Sequence, residues 1–371
     1  MKTIAFAAET PKELEDKIQE NISNGYIPTL AYVFCSVAQP LEQVRAPFAR
    51  HHIAVFGCTS SGEITNSTFV EEGITVMLFD LPRETFDIKL FDGAEKYSYQ
   101  LGQDVAKWAE GVFDMPAVLV LSDGLQADGE ALIHGVIESA ESEIPLFGGL
   151  AGDDLKMQGT YAFSETKITG MGVIALALDS SKIEVNGLAV SGWKGIGTIK
   201  TVTRSEGNVV QTIDDLPALD VYSRYFNINL GDDQTLAAEY PLLVMRDNGT
   251  SVLRAAMIIN PDKSMVYAGT VPQGSKVQFS VPPSNEIIEF AVENLSQFKE
   301  AKGDADAVIL FSCKGRHLAL GPMIEDEIAA IYNLWRAPMT GFFTYGEIGP
   351  TASGQCDFHN NTLALVTLRE R

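Results

Sequence analysis

The chain has 371 residues, 46% apolar and 20% charged, a balance that excludes intrinsic disorder and supplies core for about two domains. A formal net charge of −22 with no basic tract excludes nucleic acids and anionic membranes as partners. The four cysteines, Cys35, Cys58, Cys313 and Cys356, contain no C-x-x-C pair, which excludes zinc-ribbon and thioredoxin-type chemistry and fits a reducing compartment.

The N-terminus turns acidic at Glu9, too early for a signal peptide, and no apolar run approaches the ~20 residues that cross a bilayer. A cytoplasmic location is expected. Thr10, Pro11 and Glu13 form a helix start, Leu14, Ile18 and Ile22 its apolar stripe, and Gly25 its end. Thr29–Phe34 reads as a buried strand, followed by a short helix over Leu41–Val44 that meets Pro47. Strands follow at Ile53–Phe56, Gly73–Phe79 and Phe86–Phe91, then a helix over Ser98–Val112. Ala117–Leu121, a helix over Gly129–Ser139, Ile144–Phe147, Gly172–Leu178, Ile183–Val190 and Thr198–Val202 come next.

Pro217 opens a helix, and strands are expected at Leu242–Met245, Val252–Ile259, Ser264–Ala268 and Gly274–Val281, with a hairpin turn at Asp247-Asn248-Gly249. Ser284 or Asn285 caps a helix striped by Ile287, Ala291 and Leu295. Ala307–Phe311 is a buried strand, Pro322 begins a helix, and Met339–Phe343 and Thr362–Leu368 are strands.

One order recurs three times: an apolar strand ends in a small polar loop, a helix follows, and a second strand enters a glycine turn with an acid. The polar loops are Cys35-Ser36, Ser122-Asp123-Gly124 and Ser312-Cys313-Lys314-Gly315-Arg316. The turns are Gly57–Ile64, Gly148–Asp154 and Gly341–Pro350, and their acids Glu63, Asp153 and Glu347. The expected fold is therefore α/β, two related halves with mixed sheets covered by helices, built from repeated strand-loop-helix-strand units. Loops that leave the carboxyl ends of such strands are where ligands bind.

The first turn offers Cys58, Thr59, Ser60 and Ser61 beside exposed amides, for a small polar ligand or, as a hydrolase, with Cys58 or Ser61 as nucleophile. It lacks the G-x-S-x-G elbow of hydrolases. Gly149 and Asp153 bring the second turn to the same place. In Ser312, Cys313, Gly315 and Arg316, glycine permits close approach and the guanidinium suits a carboxylate, of a ligand or an internal one such as Glu347. Phe343 and Tyr345 would shape an apolar wall. His359 would cap backbone carbonyls or ligate a haem iron. Gly195-Ile196-Gly197 lacks the third glycine of a dinucleotide fingerprint.

Gly57–Ile64, Ser312–Arg316 and Gly341–Pro350, with Gly148-Gly149, Gly152-Asp153, Val271–Gly274 and Phe358-His359-Asn360, resemble the FIST proteins over residues 28–368. The resemblance implies an N-terminal FIST domain over 28–225 and a C-terminal one over 226–368. It implies a sensory module that binds a small, amino-acid-like ligand in a cleft and is not an enzyme. Some family members bind haem and sense nitric oxide. No kinase, cyclase or receptor segment is attached to this chain, so the expected output runs through a separate partner: a histidine kinase, a cyclase or phosphodiesterase, or a receptor.

Overall fold

Three stretches of near-continuous apolar strand need cover on both faces, and the chain supplies it by folding one unit three times. In a computed structural model, the protein is described over residues 1–93, 97–227, 235–246, 249–282 and 286–371. Asp247 and Asn248 of the expected hairpin turn, and the candidate caps Ser284 and Asn285, lie outside the described residues.

The first unit runs strand Thr3–Ala8, helix Pro11–Ser23, strand Leu30–Ser36, helix Leu41–Arg50, strand Ala54–Ser60, a hairpin of Glu63–Thr65 and Thr68–Val70, and strand Ile74–Phe79. The second runs Phe86–Asp92, helix Ser98–Val112, Pro116–Ser122, helix Gly129–Ser139, Leu146–Leu150, the hairpin Ala162–Phe163 with Ile168–Thr169, and Gly172–Asp179. The third begins at Ile183–Val190, resumes with helix Glu286–Lys302 and strand Ala307–Cys313, and continues through helices Lys314–Leu320 and Ile324–Trp335 to Met339–Thr344. It ends with the hairpin Glu347–Pro350 with Cys356–His359, and Leu363–Glu370. Between its first strand and its first helix stands an inserted antiparallel sheet, from Lys194–Glu206 to Lys276–Val281.

In each unit the two central strands are parallel, Leu30–Ser36 with Ala54–Ser60, Pro116–Ser122 with Leu146–Leu150, and Ala307–Cys313 with Met339–Thr344. The closing and opening strands add antiparallel on one side. The other side is filled by a neighbour's hairpin. The first unit's hairpin pairs with Met339–Thr344 of the third, the second's with Ala54–Ser60 of the first, and the third's with Leu146–Leu150 of the second. The exchange closes in a ring and leaves three six-stranded sheets.

The sheets face one common core, to which they contribute Tyr32, Phe34 and Phe56, Leu119, Leu121 and Phe147, and Ile309, Phe311 and Phe342. Helices cover the outer faces: Leu14, Ile18, Val44 and Phe48 on the first, Val105, Leu132 and Val136 on the second, Ile287, Leu295 and Ile328 on the third. The inserted sheet has its own core around Tyr222, Tyr267 and Phe279. It is tied to the third unit's hairpin and to the second unit by Arg254, fully buried, which donates to the Phe358 carbonyl at 3.0 Å and pairs with Glu130.

The α/β class, the mixed sheets and the repeat are as the sequence predicts. Four details differ. Thr3–Ala8 is a strand that completes the first sheet. The helix from Leu41 continues through Pro47 to Arg50, because burial of Val44 and Phe48 outweighs one lost backbone bond. Val252–Ile259 is two strands, Ser251–Arg254 and Ala256–Ile259, interrupted where the Ala255 N–H turns to Asn360 Oδ1 at 3.3 Å. Lys314, Gly315 and Arg316 are the first turn of a helix, not a loop.

Candidate functional site

The three glycine turns leave the carboxyl ends of the central strands and interlock. Ser61 N–H donates to the Phe343 carbonyl (3.0 Å), Tyr345 N–H to that of Leu150 (3.3 Å), and Gly152 N–H to that of Thr59 (2.9 Å), one bond from each turn to the next. Gly57, Gly148 and Gly341 hold equivalent places, opposite Val33, Val120 and Leu310. At Gly148, φ is +149° and an added Cβ would stand 1.9 Å from the Val120 carbonyl oxygen, so only glycine fits. Six residues beyond these glycines stand Glu63, Asp154 and Glu347. The register thus puts Asp154, where the sequence suggested Asp153, in the third acidic position.

Most residues singled out from the sequence meet here, and they are buried. Glu63 accepts from the Ser60 hydroxyl and from the Gly73 N–H (2.9 Å), and burial pushes its carboxyl up to about 8. Burial raises Glu347 well above the carboxylate range, beside the thiol of Cys313. Its Oε2 takes the Thr362 N–H at 3.3 Å, while Oε1, like Ser312 Oγ, has no hydrogen-bond partner among the described residues. For Asp153 burial raises the carboxyl, but bonds from the Tyr345 hydroxyl and the amides of Gln158 (2.7 Å) and Gly159 (3.1 Å) prevail and hold it below its ordinary value.

Arg316 has an internal partner, and it is Glu327, not Glu347. The pair is bidentate and fully buried, with Nε to Oε2 at 2.8 Å and Nη2 to Oε1 at 2.5 Å, and the guanidinium lies 5.5 Å over Trp193. Gly149 and Gly315 pack where an added Cβ would stand 3.0 Å from Thr344 Oγ1 and Asn361 Nδ2. Burial raises the Cys58 thiol well above its ordinary value. Thr59 Oγ1 accepts the Tyr161 N–H (2.9 Å), and Ser61 Oγ accepts that of Asp154 (3.0 Å). Among the described residues neither Cys58 nor Ser61 hydrogen-bonds a histidine.

The interlocked turns reach solvent at Asp154, which sequence reasoning missed. Asp154, in left-handed backbone at φ +56°, keeps its side chain 17% exposed and accepts from the Ser36 hydroxyl at 2.7 Å. Across from it stands Lys314, half-buried, within Coulombic reach of Glu71, Asp154 and Glu63. Among the described residues no carboxylate lies within ion-pair distance of its ammonium. Burial lowers Lys314 from its ordinary value. Burial and the nearby ammonium bring His317 down to about 4, so its neutral Nδ1 accepts from Lys314 Nζ at 3.0 Å. Phe343 supports both, its ring stacked on His317 at 4.2 Å and 5.6 Å from the ammonium. Each unit supplies one group: Ser36, Asp154 and Lys314. Lys314 and His317 at i, i+3 would have been legible together had that helix been recognised.

His359 lies elsewhere, on the strand paired with Glu347, at the floor of a cleft of about 580 Å3 beside the inserted sheet. Its Nε2 meets the Gly349 carbonyl at 3.0 Å, the carbonyl-capping role expected of it. A haem suits this place poorly. The rim carries Glu286, Glu289 and Glu293 where propionates would need cations, with Lys194 already paired to Glu286.

This architecture matches known sequences. Models of the FIST N domain and the FIST C domain match residues 29–216 and 218–350, and the chain belongs to the FIST family, whose domains are associated with sensory signal transduction. Two curated mycobacterial relatives, both named only as uncharacterized proteins, are similar to it. One from Mycobacterium tuberculosis is 23% identical over 254 residues, and one from Mycobacterium bovis is 24% identical over 256. Each match covers 62% of this chain and 63% of the relative, so the chain spans less than two thirds of the length of those proteins. No helix among the described residues is long and apolar enough to cross a membrane.

Proposed function

We propose that the protein is a sensory module recognising a small zwitterion, such as a free amino acid, where its three units meet, and that it signals through a separate protein, a histidine kinase, a cyclase or phosphodiesterase, or a receptor. The observation that carries this reading is Lys314, a half-buried ammonium with no carboxylate in ion-pair distance among the described residues, in Coulombic reach of Asp154. A ligand carboxylate would take Lys314, and a ligand ammonium Asp154, whose carboxylate accepts from the Ser36 hydroxyl and stands 3.6 Å from the exposed ammonium of Lys156, which the ligand would displace. The site joins loops of all three units, so occupancy would brace the exchanged hairpins against one another. That is a route from ligand to surface.

A thermal-denaturation screen of amino acids checks it. A ligand at ~100 times its dissociation constant raises stability by roughly 2.7 kcal/mol. Lys314→Ala is expected to remove the response, and Asp154→Asn to weaken it. If no amino acid shifts the wild-type transition, the zwitterion reading fails.

A further inference from the structure

The cleft at His359 is a cavity separate from the opening at Lys314. It lies between strand Ile183–Val190, the inserted strands Leu242–Met245 and Ser251–Arg254, and helix Glu286–Lys302. Its walls are apolar, with Leu188, Trp193 and Leu253 largely buried and the Phe290 ring 46% exposed. At the floor His359 is only 7% exposed. A carbonyl can only accept, so the contact with Gly349 makes Nε2 the protonated nitrogen of the ring. Burial keeps the ring neutral. Nδ1 therefore presents a lone pair, with no protein donor among the described residues. At the rim, Glu289 and Glu293 have no cationic partner among the described residues, since Lys194 pairs with Glu286.

A histidine acceptor that receives no protein hydrogen bond among the described residues, apolar walls of pocket size and an acidic mouth select one ligand chemistry. An anion is repelled at the rim, and a neutral hydrocarbon leaves Nδ1 unpaired. We propose that this cleft binds a primary amine with an apolar, ring-bearing body, its ammonium donating to His359 Nδ1 and its body lying against Trp193 and Phe290. The ring would pack on Phe290 and Trp193 in the offset or edge-on arrangements aromatic pairs prefer.

Calorimetric titration of the full chain with phenethylamine, and with phenethyl alcohol as its uncharged match, tests the proposal. One saturable amine site is expected, with the alcohol weaker by roughly tenfold or more. His359→Ala should weaken the amine roughly tenfold and Phe290→Ala several-fold, while Lys314→Ala leaves it unchanged. Should His359→Ala fail to fold, Phe290→Ala decides, because that half-exposed ring is not needed by the core. No measurable amine binding, equal affinity for the alcohol, or undiminished affinity in Phe290→Ala overturns it.

Discussion

Glu63 and Glu347 occupy the same place in their turns, and their surroundings give them different duties. Both Glu63 oxygens are engaged, by the Ser60 hydroxyl and the Gly73 amide, yet burial raises its carboxyl from 4.5 to about 8. A raised folded value means that the native state holds the proton more tightly than the unfolded chain. This contribution to stability is complete below about pH 4.5 and is lost as the pH rises towards 8. Glu63→Gln keeps the shape without the titration, its Oε1 accepting from the Gly73 N–H and its Nε2 donating to the Ser60 hydroxyl oxygen. Urea melts of the two proteins across that window should show the wild type losing stability relative to Glu63→Gln with rising pH; parallel curves would mean that Glu63 does not titrate there.

At the scale of elements, the helix Lys314–Leu320 does two jobs from one turn. Lys314 faces the open junction, while Arg316 points inward to Glu327 on the next helix and to the Ser191 carbonyl at the start of the insertion. Removing one member of such a buried pair strands the other charge. Glu327→Ala should therefore cost about 3–5 kcal/mol in chemical denaturation, and a loss below ~1 kcal/mol would show that the guanidinium finds solvent or another acid. Ser312–Arg316 has turn-like composition and carries no local helix signal, whereas the helix packs Leu320 into the cluster that holds Val308 and Leu310 of strand Ala307–Cys313. The strands were plain in the sequence because burial on both faces makes them unbroken apolar runs.

For the whole molecule, the ring of exchanged hairpins makes each unit incomplete alone. A fragment of residues 1–180 would leave Leu146–Leu150 without the strand Glu347–Pro350, and Glu63–Thr65 without Met339–Thr344. Unpaired edges of this kind aggregate. That fragment should be insoluble or lack a cooperative transition by itself and be rescued by co-expression with residues 181–371. The intact chain should unfold with coincident circular dichroism and fluorescence curves. A fragment 1–180 that melts cooperatively alone would contradict this account.

The sequence by itself determined the class of fold, the threefold recurrence and the three glycine turns that interlock, because apolar runs, caps and glycine turns are local signals. Only the tertiary structure decided which hairpin pairs with which sheet. Those bonds join backbone to backbone across hundreds of residues, as from Glu63 to Phe342, and leave no mark on side-chain pattern. It also decided that Glu63, Glu347 and Arg316 turn inward while Asp154 and Lys314 reach the opening. Charge type is written in the chain, but burial, which sets whether a charge is paired, neutralised or offered to a ligand, depends on what the other units bring beside it.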